Sequence, residues 1–458
     1  MKNLIKHSIL LFLGSIFFLT CVTVKSHGQI EKDDWQIKSP NKFGLNQKLL
    51  SDLSSQLESG TFGNTHDLVI IKNGHLVFEH YGEGHQAKDL HYTASISKSV
   101  GSILFGLTMD NGLIPNLSSG ITQKPLSSLL PEYKDLLSGQ KSEILLKHVL
   151  SMTSNLDWDE QSFPYNDSRN DWYNASIDSE PVRYAFSKKS IGKPGAQFMY
   201  NGGMSITLSY MVDKALDIET KDFAEVNLFN PLDIKEYQWR NLTCGLLDFD
   251  GGLSLRPRDM AKIGQLMLNL GSWNDQQILS KEWVDESTTM QVKNIGMPDY
   301  GYQWWGGNYN FYENSTTVFL ASGHGGQMIF VAPEFDMVVV ITQEVFNNPM
   351  GEVNCIGLLA NYILPSAKNP VIVGESHFNE NKEDFAGNYS FGSTHLEIKL
   401  EDGELVAIGG DGSRINMKPM EQNRFIGHAI DIIPVYFEFI GNKCLTRFVF
   451  QNQEYTQN

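Results

Sequence analysis

In this 458-residue chain the residues best suited to chemistry are Ser95 and Lys98, separated by Ile96 and Ser97 where a helical pattern begins. Residues three apart share a helical face, so a hydroxyl and an amine at these positions stand within reach of each other. Serine is a poor nucleophile until a neighbouring base takes its proton. A lysine amine can be that base when burial or positive neighbours lower its pKa toward neutrality. A helix start also offers free backbone N–H groups where an attacked carbonyl develops negative charge. Alone, S-x-x-K is a weak pattern that far more often describes a capping serine followed by a solvated lysine.

Two distant segments add to it. Pro194-Gly195-Ala196-Gln197-Phe198-Met199-Tyr200-Asn201-Gly202 reads as a turn, a tyrosine and small residues before a new helical pattern. A phenol at Tyr200 can relay a proton between nucleophile and leaving group, although a lone tyrosine is more often a packed ring with a satisfied hydroxyl. Ser322-Gly323-His324-Gly325-Gly326-Gln327 precedes an apolar strand. Its glycines allow close backbone approach to a ligand, and the strand start can present an N–H to an oxyanion.

Elements must hold these segments together. Leu68–Lys72 and His75–Tyr81 are apolar runs joined by Asn73-Gly74, a strong hairpin signal. From Ser95 to about Leu268 the pattern is mainly helical, with a break at Asn111-Gly112. Strands return at Val318–Ser322, Gln327–Val331 and Met337–Thr342, and Val353–Leu364 reads as a helix covering their sheet. After Pro365–Pro370 the segments Phe385–Tyr389, His395–Leu400, Glu404–Ile408 and Ala429–Phe439 alternate as short strands, with Asp402-Gly403 a turn. The expected fold class is α/β (α+β): an antiparallel sheet flanked by helices, a helical block inserted in it, and a small β domain at the C-terminus. The expected divisions are a leader at 1–28, a main domain at 29–366 and the β domain at 371–458.

The leader has a basic start at Lys2 and Lys6 and an apolar run from Ser8 to Leu19, short for a membrane span. A cut between Gly28 and Gln29 gives a periplasmic or extracellular protein. Lipidation at Cys21 is the alternative, with Phe18-Leu19-Thr20 a poor lipobox. Without the leader the chain carries 33 basic against 53 acidic residues, a balance that speaks against a nucleic-acid partner. Cys244, Cys355 and Cys444 are widely spaced and odd in number, so neither a disulfide framework nor a zinc site is expected. Asp157-Trp158-Asp159-Glu160 reads as a solvated turn in preference to a metal or substrate loop, and Trp304 and Trp305 as core or cleft lining.

Taken together these segments resemble the serine β-lactamase and penicillin-recognising family, in particular the branch containing class C β-lactamases and their esterase and amide-hydrolase relatives. Ser95-Ile96-Ser97-Lys98 matches its first motif, Tyr200-Asn201-Gly202 its Y-x-N element and His324-Gly325-Gly326 its K-T-G. The likeness runs from about Leu68 to Pro365 and takes in Gly252–Met260 and Tyr300–Trp305. It implies that Ser95 is acylated, that Lys98 activates it and that Tyr200 shuttles protons. It further implies an oxyanion hole from the backbone N–H groups of Ser95 and Gln327, and substrate contacts from His324, Gly325, Gly326 and Asn201. No metal or organic cofactor is implied, and His148 looks like family scaffold.

Two departures bear on substrate. Gly202 stands where the motif has Asn, and His324 replaces a permanently charged lysine that would hold a β-lactam carboxylate. Both favour a small ester, amide or short peptide as substrate. The rivals are a D-amino-acid peptidase or β-lactamase, and a non-catalytic binding protein on the same fold. The β domain could bind glycan, dock on the main domain or shape the cleft rim.

Overall fold

The computed structural model describes residues 35–457 apart from 295–296, 313, 347–349, 369–380 and 422. The expected leader, with its Gly28–Gln29 cut and Cys21, lies outside the described residues.

Strands Thr65–Lys72 (β1) and His75–Tyr81 (β2) pair as the sequence predicts. Asn73 and Gly74 take φ of 50° and 71°, the left-handed pair that a two-residue hairpin requires. Five later strands complete one sheet: Asp299–Tyr300 (β3), Trp305–Phe311 (β4), Asn314–Gly323 (β5), Gln327–Ala332 (β6) and Met337–Gln343 (β7). The order is β2-β1-β7-β6-β5-β4-β3, and β1 lies antiparallel to β7, with Val69 opposite Val340. The sheet's first and last strands in sequence are thus neighbours, and the mainly helical stretch between β2 and β3 is inserted into it.

The central strands are apolar throughout because both sheet faces are covered. Val69, Ile71, Ile329, Val331, Val338 and Val340 point into one core, shared with helices Ile96–Asp110 (α2) and Pro257–Leu268. Their neighbours Leu68, Ile70, Met328, Phe330, Val339 and Ile341 point into a second core, shared with helix Gln47–Ser59 (α1) and the helical run from Met350. Asn46 caps α1 by accepting from the N–H groups of Lys48 and Leu49. The predicted helix at Val353–Leu364 is present and continues through short π and α turns to Lys368.

Residues 387–457 form eight antiparallel strands closed into a barrel, with the first strand paired to the last. Its interior is filled by side chains including Tyr389, Phe425, Phe437 and Phe439, as a small barrel requires. Two expectations are corrected here. Phe385 lies in a 3-10 turn, and the strand begins at Gly387. Ala429–Phe439 is not one strand: Ile430 and Asp431, at φ of 45° and 63°, turn the chain between strands Arg424–Ala429 and Ile433–Ile440. The barrel docks on the sheet, where the Asn310 N–H donates to Val449 O at 2.8 Å, and on the helical run from Met350, where Asn361 Nδ2 donates to Ile432 O at 2.8 Å. Among the described residues no helix is long and apolar enough to cross a membrane.

Candidate active site

The segment before α2 is held at several points. His91–Tyr92 pairs with Leu253–Leu255, and the Thr93 N–H and hydroxyl both donate to Leu253 O, at 3.0 and 2.8 Å. Ala94 is buried at φ 47°, a left-handed conformation that costs a β-carbon residue roughly 1–2 kcal/mol. That bend delivers Ser95 to the N-cap position of α2. Ser97 fixes the helix start, its hydroxyl donating to Ala94 O at 2.8 Å and accepting from the Leu253 N–H at 3.0 Å.

One turn on, Lys98 reaches back. Its Nζ donates to Ser95 Oγ at 3.0 Å and to Asp250 O at 3.0 Å, and lies 2.5 Å from Asp250 Oδ1. Both side chains of this ion pair are at least 96% buried. Burial alone would lower the Lys98 pKa, but Asp250 foremost, then Tyr200 and Glu160, hold it well above the ordinary lysine value. The lowering toward neutrality that a base at Lys98 requires is opposed by these neighbours, which favour the ammonium in the resting site.

Tyr200 lines the same cavity as Ser95, and Lys98 Nζ lies 4.9 Å from its ring centroid. The ring stacks on Trp305, with centroids 6.0 Å apart. Burial raises the phenol to about 12 against the opposing pull of Lys98. The turn leading to Tyr200 rests on His148, whose Nε2 stands 3.0 Å from where a Cβ at Gly195 would be. His148 in turn accepts from the Leu145 N–H at Nδ1.

The solvated-turn reading of Glu160 is corrected. The residue is not on a solvated turn but 1% exposed at the site. Its Oε2 accepts from the Gly202 N–H at 2.6 Å and from Trp158 Nε1 at 2.5 Å. Burial and the Asp250 carboxylate push its carboxyl up to about 7. Gly202 explains itself here, since a Cβ there would meet Asp250 Oδ1 at 2.5 Å and Glu160 Oε2 at 2.8 Å. The space that an Asn side chain would need is taken by two carboxylates, and it is Asp250 that contacts the lysine.

Ser95 lies at the junction of two cavities. One, of about 770 Å³, is lined by Tyr200, Glu160, Trp305 and Ser322, and also by Phe450 from the barrel. The other, of about 320 Å³, is lined by Tyr92, Trp172, Asp250 and Phe346. His324 and Tyr165 border both. His324 Nδ1 is 3.7 Å from Glu352 Oε1, which also accepts from the Gly325 N–H at 3.1 Å. Gly325 and Gly326 take φ of 90° and 89° in the turn between β5 and β6. A Cβ at Gly325 would stand 2.7 Å from the Phe346 ring.

Gln327 begins β6 opposite Gly323, whose own Cβ position is 2.2 Å from Thr93 O. The strand start therefore abuts the backbone just before Ser95. The Gln327 side chain turns inward and donates to Gln343 O. Asn201 is buried at the N-cap of helix Gly202–Ala215, and neither of its side-chain polar atoms has a partner among the described residues. Trp304 is core and Trp305 cavity wall. Sequence reasoning missed Asp250, Tyr165 and Phe450. Asp250 adjoins the Gly251-Gly252 pair, a signal for close packing but not for a lysine 152 positions away.

A sheet split by a helical insertion, with a serine and lysine one turn apart at the insertion's first helix, defines a class of hydrolase fold. A family model described as Beta-lactamase matches residues 65–355, and the chain belongs to that family. A curated relative, the 6-aminohexanoate-dimer hydrolase of Paenarthrobacter ureafaciens, is 24% identical over 311 residues, 64% of this chain and 74% of that one. The octameric penicillin-binding protein homologue from Pyrococcus abyssi superposes with a TM-score of 0.54 at 16% identity, over 90% of this chain and 99% of its own. A family VIII carboxylesterase gives 0.53 at 14% identity, over 70% and 97%. The two structures speak for the fold alone. The protein is thus a member of the Beta-lactamase family, with a hydrolase among its curated relatives.

Proposed function

We propose that the protein is a secreted serine hydrolase that cleaves a small ester or amide through an acyl-enzyme on Ser95. The observation that carries this reading is the bond from Lys98 Nζ to Ser95 Oγ at 3.0 Å, with the Tyr200 ring centroid 4.9 Å from the same nitrogen.

Ser95 Oγ attacks the carbonyl carbon and gives up its proton as the bond forms. Because Lys98 rests as an ammonium, it first passes a proton to the Asp250–Glu160 pair, and the free amine then accepts the serine proton. Glu160, titrating at about 7, is suited to hold that proton near neutrality. Tyr200 relays a proton to the departing alkoxide or amine. Water then attacks the acyl carbonyl by the reverse route and releases the acid. The N–H groups of Ser95 and Gln327 are the assigned oxyanion donors, a device worth about 3 kcal/mol per donor in acyl transfer.

The substrate class follows from charge and shape. Glu352 beside His324 and Gly325 disfavours an anionic group where the family's lysine would bind a β-lactam carboxylate. The two cavities meeting at Ser95 suit an acyl part on one side and a leaving group on the other. A main domain ending near residue 366 and a β domain from 371, with export through the leader, belong to the same proposal. A screen of purified protein across p-nitrophenyl acetate, the linear 6-aminohexanoate dimer, a D-alanyl peptide and nitrocefin tests it, with Ser95→Ala as blank. Turnover of the ester or the linear amide is expected. Faster nitrocefin hydrolysis or D-alanine release would change the substrate class, and neither turnover nor acylation by any activated ester would leave a binding protein.

A further inference from the structure

Three histidines with no ligand spacing in the sequence meet at the other end of the segment that leads to Ser95. We propose that His66, His85 and His91 bind one divalent transition-metal ion of the zinc class, which fastens the 82–90 segment to the sheet ahead of the nucleophile.

One ring nitrogen from each histidine lies within 4.8 Å of the other two. Ligand nitrogens on a tetrahedral zinc are about 3.4 Å apart, given Zn–N bonds of roughly 2.0–2.1 Å. His85 stacks on His66 with ring centroids 3.9 Å apart, so the cluster needs a rotation of the His85 ring together with a closure on the order of 1 Å. The parts that must not move are already fixed: His66 on β1 and His91 in its short strand are 4% and 6% exposed. His85, half-buried after Gly84 at φ 84°, is free to supply the adjustment.

The electronic features also suit a metal. His66 Nδ1 is buried and has no hydrogen-bond partner among the described residues, a costly state for a polar atom unless something fills it. His91 Nε2 lies 2.6 Å from Asp67 Oδ2 but off the line of a hydrogen bond, so a small turn of the ring would pair the two and present Nδ1 as the ligand atom. That carboxylate is itself oriented by the Thr342 hydroxyl at 2.5 Å. A histidine backed by a carboxylate is the usual outer arrangement around zinc, fixing the ring and strengthening its donor. Imidazole ligands favour zinc, copper or nickel over calcium or magnesium.

The position gives the ion a purpose. His85 lies in the link from β2 and His91 opens the strand whose next residue, Tyr92, lines the cavity at Ser95. An ion here braces the approach to the nucleophile without touching substrate, so its effect is on rigidity.

Calorimetric titration of chelator-stripped full-length protein with ZnCl2 tests the proposal. The expected result is saturable binding of one ion, weakened at least tenfold in His85→Ala, and 10–100-fold in Asp67→Asn as for other outer-sphere partners. Since Asp67 is buried and its variant could fail to fold, Co2+ is the second probe: the intact protein should show the visible bands of a tetrahedral ion, and His85→Ala should lose them. No saturable binding, or binding and spectrum unchanged in His85→Ala, would overturn it.

Discussion

Lys98 meets Asp250 twice, its ammonium 2.5 Å from the carboxylate and 3.0 Å from the backbone carbonyl of the same residue. Buried and paired, the lysine cannot act as a free base, and the carboxylate becomes part of the proton path. Asp250→Asn should lower stability by about 3–5 kcal/mol, the usual consequence of leaving one buried charge unpaired. Chemical denaturation measures that loss, and ester turnover should fall with it by at least tenfold.

Glu160 links the site to pH. Its folded pKa is raised from 4.5 to about 7, so its favourable contribution is complete below 4.5 and is lost as pH rises through 7. Denaturation midpoints should decline across that window, by an amount on the order of 3 kcal/mol in stability. Glu160→Gln should flatten the decline and displace the acidic limb of the activity profile.

Gly202 is a packing requirement created by two carboxylates. Gly202→Ala places a methyl 2.5 Å from Asp250 Oδ1, an overlap that costs about 1–3 kcal/mol in a filled interior. Activity should fall by a larger factor than stability suggests, because Asp250 must shift away from Lys98. A variant that keeps its melting temperature and turnover would remove this explanation of the glycine.

Phe450 gives the barrel a place in substrate selection. Its ring packs edge-on against Tyr309 at 4.8 Å and borders the cavity at Ser95. In Phe450→Ala the KM for a long or aromatic acyl ester should rise severalfold while acetyl ester turnover holds. Equal effects on both would make the residue a docking contact only.

Much of this was legible where the physics is local. Asn73-Gly74 names its own turn, and Ser95 with Lys98 share a helix face by spacing alone. The continuous apolar runs at β6 and β7 report a sheet covered on both sides. Asp250 was hidden because its partner is 152 positions away and only the closed fold joins them. Glu160 was misread because acidic residues beside a tryptophan usually mark a wet turn, whereas here Trp158 and the Gly202 N–H solvate the carboxylate inside the protein. The turn at Ile430-Asp431 carries no glycine, and its exposed isoleucine reads as strand. Barrel closure depends on the first strand finding the last, which no local pattern encodes.

The central claim concerns one oxygen atom, and intact-mass spectrometry after treatment with a fluorophosphonate, followed by peptide mapping, addresses it most directly. A single adduct on the peptide containing Ser95 is predicted, absent in Ser95→Ala and formed at least a hundredfold more slowly in Lys98→Ala. An adduct on any other residue, or undiminished labelling of Ser95→Ala, would contradict the account.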